Sequence, residues 1–395
     1  MHTGHSHGHG DGDDPAPKRI RRLLAIAIAP FGVATIVLVV MLWPREPAVK
    51  QQQLAPGFRS ELVPAEVVSV ETHPCPTGTC ATVMIRPSEG PEAGQVKFLP
   101  EFGLVAGTRA PAVGDRIITE RVSSDLDPTV SYNFVDYERS ASLSWLALLF
   151  AVTVVVVGRW RGLAAIVGLL FTWGLLTVFV IPAIIEGRSP VLVACASGSL
   201  IMFVVLYLAH GIGARTTTAL LGTLASLVLT AALAYLFVGF TSLTGLGSDE
   251  AVFIQSHLGN VELDGILLAG IVIGALGALN DVTVTQASAV WEVHRADPSQ
   301  SARRLYQAGM RVGRDHIAST VDTLVLAYAG SSLPLLLLFA TGTRPWSDVI
   351  TGEVVAEEVV RTLVGSIGLV ASVPITTALA AFVVANLTPR QGLLR

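Results

Sequence analysis

Long apolar segments alternate with short polar ones along most of the chain. Eight of them approach the length of about 20 residues that a helix needs to cross a bilayer. They cover residues 23–43, 143–158, 163–182, 190–209, 216–238, 265–284, 318–340 and 362–387. This pattern predicts an all-α polytopic membrane protein with about eight transmembrane helices.

The stretch between the first two apolar segments has a different pattern. It is charged, rich in proline and glycine, and contains short β-branched runs at residues 65–71, 81–86, 95–99, 115–122 and 131–137. Runs of this kind, bounded by turn residues, predict five strands. Five short strands suggest a small β-barrel of the oligonucleotide/oligosaccharide-binding (OB) shape. We therefore expect a polar tail (1–22), an anchor helix (23–43), an extracytoplasmic β domain (44–141) and a seven-helix membrane domain (142–395).

Composition supports a membrane protein and excludes two other classes. Charged residues make up 14% of the 395-residue chain, whereas a soluble chain carries about 25%. The formal net charge of -4 gives no reason to expect a nucleic-acid partner. The three cysteines are too few for a disulfide-dense secreted scaffold.

Basic residues set the expected orientation, because lysine and arginine resist translocation. They are concentrated before the first apolar segment and on every second loop after it: Lys18, Arg19, Arg21, Arg22, Arg159, Arg161, Arg215, Arg295, Arg303, Arg304, Arg311, Arg314, Arg390 and Arg395. The opposite loops hold Arg188, Arg344 and Arg361. Both termini are therefore predicted to be cytoplasmic.

Two of the cysteines fall in the predicted outer domain. Cys75 and Cys80 follow His73 within eight residues, and an oxidising exterior favours a local disulfide between the two thiols. The alternative is a soft-metal site that includes His73, for which two thiols and one imidazole are an incomplete set of ligands. Cys195, inside the fourth segment, is expected to be a buried apolar residue.

Four histidines near the N-terminus, His2, His5, His7 and His9, alternate with small residues. Three aspartates follow them. Imidazoles on a flexible chain can bind zinc, nickel or copper weakly, and this favours a metal cargo. The alternative is a low-complexity tail with no selected ligand.

Polar residues with possible chemistry concentrate after residue 265. If the sixth helix continues into the cytoplasm, Asp281, Thr285, Ser288 and Glu292 share one face. A second polar stripe enters the seventh segment: Arg311, Asp315 and Asp322 share another face, with Arg314 beside it. Asp322 lies about one turn inside the apolar run, where an ionised carboxylate costs several kcal/mol unless it is paired or hydrated.

The seventh segment also contains residues that interrupt a helix. Gly330, Ser331, Ser332 and Pro334 follow Tyr328. Proline removes a backbone donor, and serine side chains can satisfy the freed carbonyls. These residues predict a break near the midplane, a frequent feature of transporter sites.

At these residues the chain resembles the YibE/F family of bacterial multispanning proteins. The stretches that carry the resemblance are Gly274–Ser288, which includes Gln286, then Trp291-Glu292, and Gly313–Gly330 with Pro334. The resemblance implies a predicted permease of the bacterial plasma membrane, with an external domain between its first two helices and no agreed substrate.

The sequence contains no P-loop, no His-Glu-x-x-His pair and no Gly-x-Ser-x-Gly motif. We therefore expect that the protein is not an enzyme and has no cofactor. We expect instead a secondary transporter of an unknown small or lipid-linked substrate. The sequence does not define its oligomeric state. Its predicted transport and ion-binding residues are Asp281, Thr285, Gln286, Glu292, Arg311, Arg314, Asp315, Asp322 and Tyr328. One alternative is a scaffold for envelope assembly that binds a partner through its β domain, with the charged residues only joining helix ends. A weaker alternative is a divalent-metal transporter.

Overall fold

The computed structural model describes residues 17–45, 58–75, 78–104, 110–124, 130–258, 261–342 and 345–387. The four histidines of the N-terminal tract lie outside the described residues. The chain divides into two compact units, one formed by residues 49–157 and the other by residues 1–48 with 158–395.

The smaller unit contains a curled five-stranded antiparallel sheet. Its strands are β1 (Phe58–Cys75), β2 (Gly78–Pro87), β3 (Lys97–Leu104), β4 (Arg116–Ser124) and β5 (Ser131–Tyr137). Their order in the sheet is β3-β2-β1-β4-β5, and β3 also approaches β5. Each of the five predicted runs overlaps one of these strands.

The first strand joins the two halves of this sheet. β1 pairs with β2 over Ala65–Cys75 and with β4 over Phe58–Glu66, and its register with β2 shifts between Val67 and Ser69. Such a bulge bends a strand and increases its twist. Alternate side chains, including Val67, Val83 and Ile117, point inward and form the buried core of the unit.

The larger unit is a helical bundle. Its long helices are α1 (Lys18–Leu42), the second half of α2 (Ser140–Leu175), α4 (Pro190–His210), α5 (Ala214–Phe240), α7 (Leu263–Ala296), α8 (Ala302–Ser331) and α11 (Glu353–Ala385). Helices α5, α7 and α11 pack on one another, α4 and α8 pack on α7, and α1 packs on α4 and α5. The shorter helices are α3 (Ile181–Ile185), α6 (Asp249–Leu258), α9 (Leu333–Ala340) and α10 (Trp346–Thr351).

The predicted second and third spans form one helical stretch. α2 continues through a π-helical turn (Leu176–Val180) into α3, so that Ser140–Ile185 is 46 residues long. Arg159, with φ 51° and ψ -129°, interrupts the helical geometry within α2, and the boundary between the two units falls beside it. Among the described residues, six helices are long and apolar enough to cross a membrane, or seven if α8 and α9 form one bent span. The predicted number of eight is larger because it divides Ser140–Ile185 at Arg159.

Candidate functional site

Helix α7 carries four of the nine predicted transport residues and α8 the other five, and α7 runs for 34 residues without a break. One side of it is buried in the bundle and includes Leu279, Val282 and Gln286. Glycine and short polar side chains lie along its other, less packed side. Asp281 and Thr285 are exposed there, so they do not contribute to the apolar core.

The closest pair of ionisable groups between α7 and α8 is Asp281 and His316. Oδ2 of Asp281 lies 3.8 Å from Nε2 of His316, and the side chains are 68% and 33% exposed, respectively. Nε2 of His316 and Oδ1 of the neighbouring Asn280 are shielded from solvent without a hydrogen bond. At 3.8 Å the two groups are too far apart for a direct hydrogen bond, but both belong to side-chain types that can carry a proton.

Farther along the same contact, Tyr328 of α8 lies over a glycine of α7. A Cβ on Gly274 would lie 2.8 Å from the Tyr328 hydroxyl, so the missing side chain makes room for the phenol. On α11, Arg361 binds Glu358 at 2.6 Å, and the charges of this pair act on the half-buried Tyr328. The three side chains form a second polar group, about two turns of α7 from Asp281.

Gln286 joins three helices from inside the bundle. Its Nε2 donates to the carbonyl of Gly309 on α8 at 2.6 Å and to Oγ1 of Thr377 on α11 at 2.7 Å. A Cβ on Gly309 or Gly313 would collide with side chains of these neighbours. Gln286 is 2% exposed, and its Nε2 donates two hydrogen bonds, which fits a packing role for Gln286.

The stripe of charged residues on α8 faces away from the bundle. At about 100° per residue, Asp322 lies about 180° around the helix from Gly313, which packs against α11. Arg311, Arg314, Asp315 and Asp322 are all exposed, and no ion pair joins Asp322 to either arginine within the described residues. The predicted shared face is therefore present, with Asp322 on the exposed side of α8.

Glu292 lies apart from Asp281, near a basic cavity. It pairs with Arg295 at 2.8 Å. Both residues line a cavity of about 290 Å³ between the ends of α4, α5 and α7 and the residues after Arg159. Arg161, His210 and Arg215 are further members of its wall. The predicted site residues thus fall into separate places and do not form one cluster.

Helices α8 and α9 meet at a sharp bend. They are inclined by 62°, and Ser332 lies at the junction. The backbone N–H of Ser332 and the hydroxyl of Ser331 both donate to the carbonyl of Tyr328, at 3.0 and 2.8 Å. Pro334 is in the first turn of α9, where a missing N–H costs no helical hydrogen bond. The bend lies where the sequence predicts an interruption.

The β unit contains a charged cluster of its own. Arg121 binds Glu92 through Nε at 2.7 Å and through a second nitrogen at 2.9 Å, and the Tyr132 hydroxyl donates to the same carboxylate at 3.0 Å. These bonds hold the pKa of Glu92 at about 2, below its usual 4.5, mainly because Arg121 stabilises the ionised form. The cluster connects the loop before β3 to β4 and β5.

The remaining predictions concern thiols and metals. Cys80 is disulfide-bonded and Cys195 is a free thiol, whereas the side chain of Cys75 lies outside the described residues. Within the described ranges, no three His, Cys, Asp or Glu side chains are placed to hold a metal ion.

Sequence reasoning missed two groups of polar residues. His316 follows Asp315 in the quoted motif, and its position three residues from Gly313 places it at the edge of the packed face of α8. The sequence analysis places Arg361 on a loop, because the predicted eighth span begins after it, and does not consider Glu358. Their i, i+3 spacing was the available signal of a pair on one helix.

Three comparisons with known proteins were informative to different degrees. A family model described as "YibE/F-like protein" matches residues 146–386. No curated protein and no solved structure matches the chain.

Proposed function

Because the chain belongs to the YibE/F-like family and is an integral membrane protein, we propose that it is a secondary transporter that uses a proton as its coupling ion. The observation that carries this proposal is the contact between Asp281 and His316. It joins two helices of the membrane domain and brings together two side chains of proton-carrying types. At 3.8 Å, proton exchange between them requires a bridging water or a small side-chain rotation. The 62° bend in the α8–α9 pair supports the same function, because broken helices are common at transport sites.

In this proposal Asp281 and His316 carry the proton. Tyr328 of α8 and the Glu358–Arg361 pair of α11 form the next group of polar side chains, about two turns of α7 away. The exposed Asp322 and the buried Gln286 have no direct part in conduction. The cargo is a small or lipid-linked molecule, and the chain catalyses no covalent reaction.

We infer that the protein crosses the membrane eight times. At about 1.5 Å per residue, the 46 residues of Ser140–Ile185 would extend about 69 Å, more than twice the roughly 30 Å of a hydrocarbon core. Two crossings with a turn at Arg159 account for this length. The shared cavity of Arg161, Arg215 and Arg295 supports placing their three loops on one side, and the positive-inside rule makes that side the cytoplasm of a bacterial plasma membrane.

The β unit is then extracytoplasmic, and we infer an OB-like barrel for it. Its order β3-β2-β1-β4-β5, with the outer strands approaching each other, supports this inference.

The test uses the full-length protein in liposomes that contain a pH-sensitive dye. A potassium diffusion potential drives proton movement, with zinc or inorganic phosphate supplied as trial cargo. We expect Asp281→Asn and His316→Gln to reduce the protein-dependent proton flux at least tenfold, whereas Asp322→Asn, at an exposed position about 120° around α8 from His316, retains it. Equal fluxes in all variants, or no flux above that of empty liposomes, would contradict the proposal.

A scaffold for envelope assembly is the second candidate. It is favoured by Met84 and Phe98, which are cross-strand partners on β2 and β3 and are 44% and 55% exposed. Exposed apolar pairs of this kind suit a protein partner. If the chain is such a scaffold, the wild type produces no proton flux, and the double variant Met84→Ser/Phe98→Ser loses a partner that is recovered with the wild-type protein. Proton flux in the wild type, or recovery of the partner with the double variant, would exclude this candidate.

A divalent-metal transporter is the weaker alternative. Its four histidines lie outside the described residues, so it depends on the sequence alone. Zinc as trial cargo in the liposome experiment tests it directly.

A further inference from the structure

The basic cavity at one end of the bundle has a composition unlike that of the rest of the membrane domain. Side chains from three separate helices converge on it: Arg161 after the break in α2, Arg215 at the start of α5, and Arg295 at the end of α7. His210 adds an imidazole, and Glu292 contributes the single carboxylate of the wall. With the histidine neutral, the charges of these side chains sum to about +2.

The backbone of the wall also favours an anion. Helix α5 begins at Ala214 after Gly213, and no side chain caps its first turn. The first N–H groups of a helix have no intrahelical acceptor, and they attract negatively charged groups. Thr216, in this first turn, lines the cavity. Its hydroxyl forms only a long bond of 3.4 Å to the carbonyl of His210.

The turn between α4 and α5 brings these groups together. Gly211 has φ 74°, a conformation that side chains disfavour, and it allows α5 to begin four residues after α4 ends. As a result His210 and Arg215 face the same space.

The geometry points to a binding site for a phosphate group in this cavity. Guanidinium groups match the oxygens of a phosphate through paired hydrogen bonds. The volume of about 290 Å³ is at the lower end of the range of ligand sites, so it suits a phosphate with a small substituent. Ile212 is 90% and Trp160 82% exposed, and such side chains beside an arginine site are typical of the membrane interface. Both a soluble phosphate and a phospholipid headgroup can reach such a position.

The experiment measures binding and does not involve transport, so its outcome is independent of the proposed function. The melting temperature of the full-length protein is measured in detergent with inorganic phosphate or with chloride at equal ionic strength. It is also measured in nanodiscs containing phosphatidic acid or only phosphatidylcholine. A ligand that binds the folded state raises the melting temperature. Stabilisation by the phosphate salt assigns the site to a soluble ligand, and stabilisation only by phosphatidic acid assigns it to a headgroup.

Arg215→Gln and Arg295→Gln should each weaken this binding at least tenfold, while Arg215→Lys, which keeps the charge but loses the planar fork, should retain part of it. Arg303→Gln, on an exposed position of α8 outside the cavity, is the matched control. The melting temperature of each variant without phosphate reports any loss of folding. If neither form of phosphate stabilises the wild type, or if the control loses as much affinity as Arg215→Gln, the site does not exist.

Discussion

Gly313 of α8 lies so close to Val373 of α11 that a Cβ on the glycine would be 2.5 Å from Cγ1 of the valine. Contacts below 3.0 Å essentially never occur, so Gly313→Ala must move α8 away from α11. We expect it to cost about 1–3 kcal/mol, the usual penalty of overpacking, measured as a lower melting temperature in detergent. Gly270→Ala on α7 is the control, because its Cβ would meet nothing within 4 Å. Equal losses in both variants would show that α8 does not pack as described.

The amide of Gln286 should contribute measurably to stability. Gln286→Leu removes its bonds to Gly309 and Thr377 and leaves the Gly309 carbonyl without this donor. We expect a loss of about 1–2 kcal/mol, the range for interhelical hydrogen bonds in membranes. Thr285→Val, at the neighbouring exposed position, should be near neutral. The effects of Gln286→Leu and Thr377→Val should not add, because the two residues share one bond.

The Glu92 cluster makes the β unit sensitive to acid. The pKa of Glu92 is lowered to about 2 in the folded protein, so its stabilising effect is complete above its unfolded pKa of about 4.5 and is lost as the pH falls towards 2. The wild type should therefore melt higher than Glu92→Gln at pH 6, and the difference should vanish near pH 2. Glu89→Gln, at an exposed position in the same loop, should show no such pH-dependent difference. A constant difference across this range would refute the role of the carboxylate.

Labelling can decide whether Ser140–Ile185 crosses the membrane twice. In a Cys195→Ala background, Trp160→Cys should react with a membrane-impermeant maleimide only in inverted vesicles. Ser88→Cys, in the β unit, should react only from the outside of intact cells. Reaction of both cysteines from the same side would exclude the proposed turn at Arg159.

The faces of α8 show what the sequence does and does not specify. Its spacing places Arg311, Asp315 and Asp322 on one side, and the structure has them there. Spacing alone does not say which side meets the bundle. The small residues Gly309 and Gly313 carry that information, because close helix approach requires them at the contact. The positions of these two glycines, taken together with those of the charged residues, place Asp322 outside the packed face of α8.

The β unit was easier to predict than the helix that follows it. Short β-branched runs bounded by turn residues predict the positions of all five strands, and one face of the resulting sheet is buried. The 18-residue length of β1 depends on its pairing with both β2 and β4, which no local pattern encodes. Similarly, the residues around Arg159 contain a turn signal, but the sequence does not show that the helix resumes directly after it.

Helix α7 connects the contact between Asp281 and His316 to the arginine cavity. Because it has no break over its 34 residues, it is a stiff rod of about 51 Å at about 1.5 Å per residue. The contact with His316 lies near its middle and the arginine cavity at its end. A rigid tilt of α7 that widens the gap at Asp281 also shifts Glu292 and Arg295, because the same helix carries all three residues. Occupancy of the cavity is therefore coupled to the separation of α7 from α8.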